Sequence, residues 1–66
     1  MINGVKLKSL REEAGLTGVQ LGEAAGVSQS MIAHYERGVK APSMEVLGRI
    51  ADKLGVKMDD LRKKEA

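Results

Sequence analysis

Gln29, Ser30, Ala33, His34 and Arg37 share one arc when the segment after Ser28 is wound as a helix at about 100° per residue, and Met31, Ile32 and Tyr35 fall on the opposite side. An ordinary solvent-facing helix surface is mostly lysine and glutamate. This arc is instead short, largely uncharged and rich in donors and acceptors. Those groups suit direct reading of base-pair edges in the major groove of double-stranded DNA. A glutamine can bond adenine N6 and N7 together, a serine can serve either strand, and an alanine methyl can lie against a thymine methyl. The bland alternative is a polar solvent face behind a capped helix start.

Other chemistries find little to work with. The chain has one histidine and no cysteine, so neither a metal site nor a disulfide is expected, and no cofactor is implied. An enzyme is the weakest reading, because there is no glycine-rich phosphate loop, no evident nucleophile and base pair, and a single imidazole. The net charge of +2 permits a nucleic-acid partner without demanding one, so its distribution matters. From Ala24 to Met44 the only acid is Glu36, with Arg37 and Lys40 close by, whereas Glu12, Glu13, Asp52, Asp59 and Asp60 lie elsewhere. Phosphates would meet little repulsion along that stretch.

The elements that hold this face can be read from caps and stops. A chain of 66 residues, 42% hydrophobic, is apolar enough to fold and long enough for a single domain over 1–66. No strand pattern is present, and the expected class is all-α. Gly15, Gly26, Gly38 and Gly55 each follow a run of two or three helical turns and sit where helices stop. The spacing predicts five helices. The first runs from about Gly4 to Ala14, with Asn3 as cap and Leu7, Leu10 and Ala14 on one face. The second starts at Thr17, where Gln20 completes a capping box, and ends at Ala25. The third is capped by Ser28 and reaches Arg37. Ser43, after Pro42, caps a fourth with Val46, Leu47, Ile50, Ala51 and Leu54 on its apolar stripe. The last covers about Met58 to Lys63 with Leu61 turned inward. Only Gly26 and Val27 separate the second and third helices, the short turn of a helix-turn-helix over about 17–37. Nothing is long enough to span a bilayer and the first residues lack a signal-peptide core, so a cytoplasmic location is expected.

Four blocks together give the sequence a family likeness: Leu10-Arg11-Glu12-Glu13-Ala14-Gly15-Leu16-Thr17, Ala24-Ala25-Gly26-Val27-Ser28-Gln29-Ser30, Tyr35-Glu36-Arg37-Gly38 and Pro42-Ser43. Through them the chain resembles the lambda-repressor-like family, the phage-repressor and Cro type of helix-turn-helix domain. The resemblance covers almost the whole chain and implies a five-helix DNA-binding domain whose relatives mostly bind operators as dimers. It implies that Gln29, Ser30 and His34, with Ala33 as a weaker fourth, face base edges. It also implies that Ser28 and Arg37 touch phosphates with Lys40 near the backbone, and that Arg11 pairs with Glu36 for structural reasons. Thr17, at the start of the second helix, joins the expected phosphate contacts, since helix N-termini favour anions.

Two positions depart from the family pattern: Gly18 replaces a glutamine that would bond a phosphate and brace Gln29, and Gln20 replaces a glutamate. Gly22 sits where the family wants a residue no larger than alanine, expected from close passage over Ile32. Val56, Lys57 and Met58 form the expected homodimer interface, with burial of the apolar group Val56, Met58 and Leu61 in the monomer core as the alternative. The leading expectation is a transcriptional repressor acting on a palindromic operator. The rival is an antitoxin or antirepressor whose main partner is another protein.

Overall fold

Side-chain caps and glycine stops divide the chain into helices. A computed structural model describes residues 2–62 and contains α1 (Gly4–Glu13), α2 (Gly18–Ala25), α3 (Gln29–Glu36), α4 (Met44–Leu54) and α5 (Met58–Leu61). The Asn3 carboxamide oxygen accepts from the Lys6 amide at 3.1 Å, and the Ser28 and Ser43 hydroxyls accept from Met31 and Val46 at 3.1 and 3.2 Å. At α2 the box is reciprocal: Gln20 N–H donates to Thr17 Oγ1 at 3.1 Å and Thr17 N–H donates to Gln20 Oε1 at 2.9 Å. Each of these caps satisfies amides that no helical carbonyl reaches. At the other ends Gly15, Gly26, Gly38 and Gly55 all have φ between 70 and 76°. At Gly26 this left-handed conformation reverses the chain between α2 and α3, where an L side chain would be strained.

The ends differ slightly from the sequence expectation. Ala14 caps α1 and is exposed rather than inward, because the helix has already ended at Glu13. Arg37 is the C-cap of α3, and α5 stops at Leu61 because Arg62 is extended. The expected end of the last helix at Lys63 lies outside the described residues. Among the described residues there is no strand, only an isolated antiparallel bridge between Ile2 and Arg62. Asn3 N–H also donates to the Leu61 carbonyl at 2.7 Å, so the start of α1 is latched to the end of α5.

Helix α2 packs on α3 and α4, α1 on α3, and α5 closes against α4 and α1. Between them lie Ile2, Leu7, Leu21, Ala25, Ile32, Tyr35, Leu47, Ile50, Ala51 and Leu61, with no buried charged residue among the described residues. The reason for Gly22 differs from the expected passage over Ile32. A Cβ there would lie 2.6 Å from the Val27 carbonyl oxygen and 3.3 Å from the Ser28 carbonyl carbon, so α2 runs against the backbone of its own turn. That approach fixes how α3 leaves α2. No described helix is long and apolar enough to cross a membrane.

Candidate nucleic-acid interface

Helix α3 is set by its inward face. Ile32 and Tyr35 are buried and Met31 packs partly on the core, which leaves Gln29, Ser30 and Ala33 exposed and His34 half-buried. The arc expected from the 3.6 period is therefore the outer surface of α3. Thr17, Ser28, Arg37 and Lys40, expected at phosphates, are all exposed as well. Thr17 and Ser28 accept cap amides with their side-chain oxygens, so each keeps its O–H to donate beside its helix start. The start of α2 lies beside that of α3, since a Cβ on Gly18 would be 3.3 Å from Gln29 Cγ.

The one acid of this stretch is tied back into the protein. Arg11 Nε donates to Glu36 Oε2 at 2.6 Å and Nη2 to Oε1 at 3.2 Å, a two-pronged pair with both side chains under 15% exposed. Arg11 Nη1 also donates to the Leu16 carbonyl at 2.9 Å, which anchors the connection leading into α2. The hydrogen bond to Glu36 raises the guanidinium pKa above its ordinary value despite the opposing effect of burial, so Arg11 stays charged. A bidentate pair of this kind neutralises Glu36 where a free carboxylate would repel phosphates. The remaining charges between Ala24 and Met44, Arg37 and Lys40, are positive.

Three contacts were not foreseen in the sequence. Arg37 Nη2 lies 3.2 Å from His34 Nδ1 on the outer face. Arg49 pairs with Glu45 at 2.5 Å and its Nη1 donates to the Ala25 carbonyl at 3.4 Å, bracing the end of α2 just before the turn. The spacings of three and four residues were signals that each pair could meet, but not that Arg49 would reach across to α2. Val56 and Met58 are half-buried against the core, Lys57 is exposed, and the three line a surface groove with Gly48, Asp52 and Arg62. Of the apolar group at this end, Leu61 is buried and Val56 and Met58 are partly buried against the core.

The helix-turn-helix family matches residues 7–61. The chain belongs to that family. The immunity repressor protein of Bacillus phage phi105 is 40% identical over 58 residues, 88% of this chain, and the chain spans 40% of that repressor's length. YgzD of Bacillus subtilis, an uncharacterised helix-turn-helix transcriptional regulator, is 34% identical over 56 residues that make up 85% of each chain. Among solved structures, the P22 c2 repressor in complex with a synthetic operator superposes with a TM-score of 0.90 at 26% identity, covering 98% of both chains. The five-helix, lambda-repressor-like fold expected from the sequence is the fold of this helix-turn-helix domain, and it is the fold of transcriptional regulators.

Proposed function

We propose that this helix-turn-helix protein is a transcriptional repressor that binds a palindromic operator as a homodimer, with α3 of each copy in successive major grooves. The observation that carries the reading is the exposed, donor-rich face of α3, where Glu36, the one acid between Ala24 and Met44, is neutralised by Arg11. Gln29, Ser30, Ala33 and His34 read base edges, while Arg37, Lys40 and the helix starts at Thr17 and Ser28 hold phosphates. The likeness to a repressor solved with its operator supports this docking. The regulators named above give no support to the antitoxin alternative. Residues 1–66 form one DNA-binding domain, which acts in the cytoplasm without catalysis.

The reach of one reading helix supports dimerisation: α3 has 8 residues, about 12 Å of helix, and lies in one major groove, so two copies are needed to read successive grooves roughly 34 Å apart. The groove edged by Val56, Lys57 and Met58 presents acids and bases together, Asp52 and Asp59 beside Lys57 and Arg62, a pattern that can complement itself across a two-fold axis. Selection of bound sequences from a random duplex library tests the reading. A palindrome bound by two chains is expected, and either no enriched sequence or one chain on a complete palindrome at saturation contradicts it.

A further inference from the structure

We propose that Arg37 is a specificity-positioning residue: it donates to His34 Nδ1 and so holds the imidazole with its proton on Nε2, and His34 then donates into the major groove and selects guanine. The inference rests on the DNA-reading role of α3. Its starting point is the 3.2 Å contact between Arg37 Nη2 and His34 Nδ1. A guanidinium has donors and no acceptor, so Nδ1 must be the acceptor of this bond. In a neutral imidazole the proton then sits on the other nitrogen, because the bond made by one ring nitrogen sets the role of its partner. No described protein group bonds Nε2, which is left as a donor only.

A donor at this place discriminates among bases. Guanine presents two adjacent acceptors, N7 and O6, to the major groove; adenine sets N7 beside a donor, thymine sets O4 beside a methyl, and cytosine offers only its N4 donor. His34 held this way meets two acceptors at guanine and a clash of donors at cytosine. An imidazole without Arg37 could exchange its proton and accept from cytosine or adenine instead. Arg37, expected from the sequence to act on phosphates alone, therefore gains a second task through its neighbour three residues back.

The test repeats the random-library selection with the full chain, His34→Ala and Arg37→Met. Arg37 is exposed, so methionine there leaves the fold intact, which a thermal scan verifies. His34→Ala is expected to erase the preference at one base pair per half-site, guanine in the wild type. Arg37→Met is expected to weaken binding to every duplex. In addition it should lower the guanine preference at that pair from about fivefold, the worth of one hydrogen bond, to near parity. The pairs read by Gln29 and Ser30 keep their preferences. Nitrogen NMR of the complex is expected to place the His34 proton on Nε2. A uniform loss with the guanine preference intact, or a proton on Nδ1, overturns the proposal and leaves DNA reading by α3 standing. Failure of the wild-type chain to enrich any sequence overturns both.

Discussion

Arg11 and Glu36 decide whether α3 can lie against phosphates, because they cancel the one negative charge beside it in a geometry that water barely reaches. Removing one partner leaves the other charge shielded and unpaired, so Arg11→Met is expected to destabilise the domain by about 2–4 kcal/mol. Replacing both by methionine should recover much of that, and chemical denaturation of the single and double variants measures it. Equal losses in both would contradict the pairing. The raised pKa of Arg11 has a definite sign: its contribution is full below the unfolded value and is lost only as pH rises through the folded one. Arg11's side of the pair is therefore level across the neutral range. Gly18 bears on reading rather than on charge. A side chain there displaces the flexible Gln29 by a few tenths of an ångström, outward from α2. Gly18→Gln is expected to raise helix stability slightly and to tighten operator binding by about 1 kcal/mol, through an amide that reaches a phosphate and braces Gln29. Better stability with weaker operator binding would show that the glycine is kept for close approach instead.

At the scale of elements, helix limits were legible where a rule is local. Asn3, Thr17 with Gln20, Ser28 and Ser43 announce starts by residue type, and the four stopping glycines adopt the one conformation that others resist. The outer arc of α3 was legible for the same reason, since a 3.6-residue period needs no tertiary knowledge. What stayed hidden depends on distant segments meeting: the Ile2–Arg62 bridge, the reach of Arg49 to Ala25, and the approach of α2 to its own turn at Gly22. The Arg11–Glu36 pair spans 25 residues and was accessible only through the family resemblance. Gly22 carries a prediction about this level. Alanine in mid-helix is ordinarily better than glycine by about 1 kcal/mol. Here the methyl meets the Val27 carbonyl at 2.6 Å, and backbone yields less readily than a side chain. Gly22→Ala is expected to lower stability by about 1–3 kcal/mol, read as a fall in thermal midpoint, and to loosen the angle between α2 and α3. A higher midpoint would mean that the turn relaxes freely.

Across the whole molecule, a formal charge of only +2 conceals an uneven distribution along the chain, since Glu36 is the one acid between Ala24 and Met44 and it is paired with Arg11. Binding should therefore weaken steeply with salt, with a log-log slope of about −0.9 for each phosphate neutralised. Titrations between low and moderate salt check this, and a flat response would remove the phosphate contacts assigned to Arg37, Lys40 and the helix starts. Salt alone does not separate a reader from a nonspecific binder. The most direct test is the affinity of wild type and Gln29→Ala for the selected operator and for a random duplex. Loss of a base contact predicts a cost of about 1–3 kcal/mol on the operator and far less on random DNA. Equal costs on both duplexes would assign Gln29 to the backbone and contradict base reading by the outer face of α3.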